Sequence, residues 1–149
     1  MNTENEMRLE FDSRSCNEGF ARVAVAAFLT QLNPTLEEVA DVKTALSEAV
    51  TNAIIHGYEG DGKKKVVVEC RIRPRTLEIM VEDQGIGIPD VEKAMEPLFT
   101  TKGDCERAGM GFSFMEAFMD TLEVESAPGE GTRVKMSKEI GRAEHKYEV

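Results

Sequence analysis

Apolar and polar positions alternate over residues 7–12, Met-Arg-Leu-Glu-Phe-Asp, and predict a short strand. A helix is predicted over Asn17–Leu32, stopped by Asn33-Pro34. Its middle, Val23 to Leu29, is seven apolar residues in a row. A helix with no polar side there is either deeply buried or part of a subunit interface, and both readings stay open. The next helix opens on Thr35-x-x-Glu38, a capping box. A stripe at Val39, Val42, Leu46, Ala49, Val50, Ala53 and Ile54 follows with helical period. It predicts an end near His56-Gly57, with Gly57 as a left-handed cap. Beyond the Gly60-Asp61-Gly62 turn the period drops to two. Val66, Val68, Cys70 and Ile72 share one face, and after Pro74-Arg75 so do Leu77, Ile79 and Val81, a series that Asp83 continues. A short helix over Asp90–Glu96, a long loop from Pro97 to Gly109 and a helix from Gly111 to Asp120 come next. Strands near Thr121–Ser126 and Thr132–Lys138 close the pattern around the turn at Pro128–Gly131. Strands arriving as hairpins between helices predict a two-layer α/β sandwich with a mixed, mostly antiparallel sheet and helices on one face. Residues 139–149 are expected to be a mobile tail.

Composition narrows this picture. The 149 residues make one domain, 1–149, with its core at about 7–138. Eighteen basic against 28 acidic residues leave a charge of −10, which argues against binding nucleic acid or an anionic membrane. A small anionic ligand held by local donors is still compatible. Seven consecutive apolar residues are too few to cross a membrane, and the acidic N-terminus is unlike a secretory signal. Cys16, Cys70 and Cys105 have no paired spacing and read as reduced thiols, so the expected location is cytoplasmic. Two histidines, His56 and His145, give no histidine-rich metal centre.

Three constellations carry chemistry. Asp83 ends an apolar strand face and is followed by Gly85 and Gly87. An inward carboxylate beside a glycine turn suits an exocyclic amine such as adenine N6; capping the helix near Asp90 is the plainer alternative. Gly109 and Gly111 precede a helix, where free N–H groups favour phosphate, and Thr100, Thr101, Lys102 and Arg107 lie just before. An ordinary solvated loop is the alternative. Glu48 and Asn52 share a helix face with no Lys or Arg in that stretch, so an amide oxygen for Mg²⁺ and a carboxylate for a hydroxyl proton fall together. An ordinary polar face is equally open. Gly57 to Lys64 nearly fits a P-loop, but Lys64 stands where Ser or Thr belongs, and the stretch leads from helix to strand, the reverse of that motif.

Taken together, Glu48-x-x-x-Asn52, Asp83-x-Gly85-x-Gly87, Gly109-x-Gly111 and Gly131-Thr132 resemble, in order and spacing, the GHKL ATPase/kinase superfamily over residues 35–138. The resemblance implies a Bergerat-type fold binding ATP or ADP. It implies Asn52 on Mg²⁺, Asp83 on adenine with Thr132 assisting, Gly85 and Gly87 near the base, and Gly109 and Gly111 supporting the phosphates under a lid. The chain lacks the phosphoacceptor segment of a histidine kinase and the second domain of the gyrase type. Phe20–Phe28, Glu48–Tyr58, Pro97–Lys102 and Gly109–Phe112 make it similar to the small bacterial anti-sigma kinases of sporulation, from about Met7 to Lys138. That family implies a homodimer holding a sporulation sigma factor (of the F type) in its ATP-bound form. It also implies phosphorylation of a serine on an anti-anti-sigma protein, with Arg22 on the docking surface. For such a transfer Glu48 reads as the residue that aligns the hydroxyl and takes its proton, and Arg107, beside the glycine pair, and Lys102 as cations that neutralise the transferring phosphoryl group. A nucleotide-gated binding module and a stand-alone ATPase are the alternatives.

Overall fold

The computed structural model describes residues 4–96 and 111–141. Strand β1 (Asn5–Asp12) leads into helix α1 (Cys16–Leu29), a 3₁₀ turn (Thr30–Leu32), helix α2 (Leu36–Thr51) and a π-helical turn (Asn52–Gly57). Strands β2 (Lys65–Arg73) and β3 (Thr76–Asp83), helices α3 (Val91–Ala94) and α4 (Phe112–Phe118), and strands β4 (Thr121–Ser126) and β5 (Thr132–Glu139) follow. The sheet order is β1-β2-β3-β5-β4, and every neighbouring pair is antiparallel, so no parallel pairing mixes in among the described residues. In β3–β5 the register sets Asp83 opposite Thr132 at one end of the sheet.

Alternation decides which sheet face is covered. Phe11, Val66, Val68, Cys70, Ile72, Leu77, Ile79, Val81, Val134 and Met136 are buried and meet the helix layer through residues such as Val25, Leu29, Leu46, Val50 and Met115. Each such side chain contributes about 1.5–3 kcal/mol by leaving water. Burial also pushes the Cys70 thiol up to about 12, which leaves it unreactive. The capping box forms as expected: the Thr35 hydroxyl accepts from Glu38 N–H at 3.0 Å, and Glu38 Oε1 accepts from Thr35 N–H at 2.9 Å.

Three expectations need correction. Gly57 is helical and not left-handed; the positive φ angles beyond it belong to Glu59 (52°) and Gly60 (82°). The expectation of a mobile tail from residue 139 does not hold for residues 139–141. Glu139 is the last residue of β5, Ile140 is fully buried, and its N–H bonds the Arg75 carbonyl at 2.8 Å. Residues 142–149 lie outside the described set. Finally, of the two readings of α1 the deeply buried one does not hold, because the helix is buried on one side only. Ala21, Val25 and Leu29 face the core, while Phe20 and Val23 are 58% and 63% exposed.

Among the described residues nothing covers the other face of the sheet, which is charged. Arg8 pairs with Glu69, Arg71 with Glu6 at 3.0 Å, Arg133 with Glu82 at 2.6 Å and Lys135 with Glu125 at 3.2 Å. A broad open concavity lies here, and the Arg8–Glu69, Arg71–Glu6 and Arg133–Glu82 pairs are part of its lining.

Candidate functional site

The site forms where α2 ends. Widening into a π-helical turn carries the chain across the end of the sheet, and the Gly57 carbonyl accepts from Ile86 N–H at 2.9 Å. The two backbones cross at glycine. A Cβ on Gly57 would stand 2.6 Å from Asp83 Oδ1, and one on Gly85 would stand 2.0 Å from the Gly57 oxygen. The missing side chain of Gly57 therefore makes the room in which the Asp83 carboxylate sits, and that of Gly85 lets the two backbones approach. Gly87 has φ +77°, and a Cβ there would stand 2.0 Å from the Ala127 oxygen.

Asp83 is 5% exposed. Its Oδ1 accepts from Gly85 N–H at 2.9 Å, and the Thr132 N–H also donates to the carboxylate. Burial pushes its carboxyl up to about 6; the two N–H donors oppose this, and the nearby Glu82 charge adds to it. A narrow cleft opens in front of it. Val81, Ile88, Phe112 and Val134 make its apolar walls, and Asn52, His56, Asp83 and Thr132 bring polar groups. A small cleft with apolar walls and a carboxylate at its end has the chemistry to take a ring that carries an N–H donor.

Loops outside the motif hold this end in place. The Ser126 hydroxyl accepts from Ile88 N–H at 2.8 Å, donates to the Gly131 carbonyl at 2.8 Å and lies 2.8 Å from Thr132 Oγ1. Tyr58 is buried, and its hydroxyl donates to the Lys65 carbonyl and accepts from Gln84 N–H at 2.7 Å. Burial raises the phenol pKa most; the Gln84 N–H opposes this, and the charges of Asp83 and Glu82 add to the rise.

The structure brings Glu48, Asn52, Asp83, Gly85, Gly87, Gly111 and Thr132 to this end of the fold. Gly111 caps α4 with φ +72°, and a Cβ on it would stand 2.3 Å from Glu48 Oε2, so the glutamate lies against the second glycine motif. Thr100, Thr101, Lys102, Arg107 and Gly109 lie outside the described residues. Arg22 sits apart on α1, half exposed, with Glu18 at 3.6 Å. Sequence reasoning missed Gly57, Tyr58 and Ser126 as parts of the site. The run His56-Gly57-Tyr58 was the available signal for two of them; nothing local marks Ser126.

Comparison with known proteins agrees with this geometry. Residues 13–138 match the family model described as a histidine kinase-like ATPase domain. An anti-sigma F factor of Clostridium perfringens (strain SM101 / Type A) is 58% identical over 137 residues, covering 92% of this chain and 98% of that protein. One from Oceanobacillus iheyensis is 52% identical over 143 residues, covering 96% and 98%. Among solved structures, the RsbU and RsbW domains of Rv1364c from Mycobacterium tuberculosis superpose with a TM-score of 0.65 at 18% identity over 91% of this chain. The blue-light activated histidine kinase of Erythrobacter litoralis EL346 superposes with a TM-score of 0.57 at 20% identity over 75%. This chain spans about a third of each of those solved chains, 32% and 33%, and the likeness is one of fold. No helix among the described residues is long and apolar enough to cross a membrane. The architecture, the cleft and the close relatives converge: the chain belongs to the histidine kinase-like ATPase domain family, with the anti-sigma F factors.

Proposed function

We propose that the chain is an anti-sigma factor and a protein serine kinase that uses Mg²⁺·ATP. The observation that carries this reading is Asp83, a buried carboxylate at the end of an apolar slot whose partners among the described residues are two backbone N–H groups and no cation. Adenine enters the slot and donates its exocyclic N–H to Asp83, with Thr132 alongside. Asn52 supplies an amide oxygen toward Mg²⁺, which neutralises phosphate charge when bound. No group of three His, Cys, Asp or Glu side chains among the described residues could hold a metal by itself, which suits an ion carried in with the nucleotide.

Glu48 lies one helical turn before Asn52 and against Gly111. In the reaction the partner serine oxygen bonds to the γ-phosphorus, the bond to the β–γ bridging oxygen breaks, and ADP departs. Glu48 aligns the hydroxyl and takes its proton; the loose transition state asks little base strength. Arg107, with Lys102 as a second cation, neutralises the transferring group. The exposed apolar side of α1, Phe20 and Val23, supports a homodimer, and Arg22 on the same helix supports docking of the sigma factor and of the anti-anti-sigma protein. The expected location is the cytoplasm.

The test mixes the protein with γ-labelled ATP, Mg²⁺, a sporulation sigma factor and an anti-anti-sigma protein. Label on the partner serine supports the kinase, free phosphate alone an ATPase, and neither a nucleotide-gated binding module. Glu48→Gln should lower phosphotransfer about 100-fold or more while ATP binding and sigma capture persist. Arg22→Ala should leave nucleotide binding intact while weakening capture of both partners. Undiminished transfer in Glu48→Gln removes the base assignment, and normal capture by Arg22→Ala removes the docking assignment.

A further inference from the structure

The loop after Asp83 is fastened at both ends by side-chain hydroxyls that come from outside it. At the start, Tyr58 joins three segments at one oxygen: its own π-helical turn, Lys65 at the head of β2, and Gln84, the residue after Asp83. Its single proton goes to the Lys65 carbonyl, so the oxygen is left to accept from Gln84 N–H. At the far end, Ser126 accepts from Ile88 N–H.

Proton counting at Ser126 fixes a neighbour as well. Ser126 Oγ lies 2.8 Å from the Gly131 carbonyl and 2.8 Å from Thr132 Oγ1. A carbonyl can only accept, so the one Ser126 proton goes to Gly131. The close approach of the two hydroxyls then requires Thr132 to donate to Ser126. Thr132 Oγ1 keeps lone pairs and no spare proton. Beside the Asp83 carboxylate this makes a second acceptor, directly across the β3–β5 pair.

We infer that Tyr58 and Ser126 are positioning residues that set the purine specificity of the cleft. Tyr58 fixes the backbone that aims Asp83. Ser126 fixes the loop end and turns the Thr132 hydroxyl into an acceptor. A cleft presenting acceptors favours a purine that donates at position 6 and disfavours one that does not. The inference rests on the reading of Asp83 as the adenine contact.

The test compares calorimetric affinities for ATP and for purine riboside triphosphate, which lacks the 6-amino group. The proteins are wild type, Tyr58→Phe, Ser126→Ala and Ser126→Thr, each checked for folding by circular dichroism. Wild type should prefer ATP about tenfold or more. Tyr58→Phe and Ser126→Ala should lose about three- to tenfold in ATP affinity while the analogue changes less than about twofold, and Ser126→Thr should restore the ratio. An unchanged ratio, or an equal loss for both ligands, overturns the inference while leaving the Asp83 reading intact. A wild type that does not discriminate overturns both. If Tyr58→Phe does not fold, the two Ser126 variants decide.

Discussion

On the bare face of the sheet Arg8 stands beside Glu69, Arg71 beside Glu6 and Arg133 beside Glu82, all in water; at the end of the covered face Asp83 is 5% exposed and bound by backbone N–H groups. Both regions are built from the same strands, and in β3 they differ by one step of the pleat: Glu82 faces out and Asp83 faces in. Exposed pairs cancel one another's charge and contribute little to stability, about 0–1 kcal/mol each. The isolated carboxylate costs free energy in the empty protein and regains it when a ligand donates to it. Charge that is already satisfied marks solvated surface, even where the surface is concave. Charge left buried without a cation marks the site.

The comparison breaks most visibly at Asp83 itself. Asp83→Asn should weaken ATP binding about 10- to 100-fold by calorimetry, the range for a hydrogen bond to a charged group. The same variant should unfold at a higher temperature at pH 7.5, because the native carboxyl, raised from 3.8 to about 6, disfavours folding there by about 2 kcal/mol after allowance for solvent at the cleft mouth. A variant that binds as well as wild type, or is less stable, contradicts the contrast.

The pH dependence sharpens it. Between about pH 4 and 6 the folded protein holds a proton on Asp83 that the unfolded chain has lost. The stability this group contributes is therefore greatest below about pH 4, declines as pH rises to about 6, and is constant above. ATP affinity runs the other way and should fall as pH drops below about 6, since the ionised carboxylate is the stronger acceptor for the amine proton. Asp83→Asn shares the other titrations, including that of the nucleotide, and should remove both dependences in denaturation and binding series. The smallest effect belongs to the bare face: Arg133→Gln should change stability by less than about 1 kcal/mol in urea melts and leave ATP binding unchanged.

Much of this was legible along the chain because it is local or periodic. The two-residue period of β3 alone points Asp83 inward, and Thr35-x-x-Glu38 locates the start of α2. What was not legible depends on long-range approach. Gly57 has the local signature of a helix cap, yet it is needed because Asp83, 26 positions later, occupies the space of its missing Cβ. Ser126 becomes a junction only once β5 pairs with both β3 and β4. Ile140 lies beyond the last regular alternation and is buried because Arg75, far back in the chain, holds its N–H.

The central claim is tested most directly by following the Asp83 side-chain carbonyl carbon by NMR as pH is varied, with and without saturating ATP. In the free protein it should titrate near 6. With ATP bound the midpoint should move down, because binding favours the ionised form. An unshifted midpoint, or a free carboxyl that titrates as an ordinary exposed aspartate, would contradict the account.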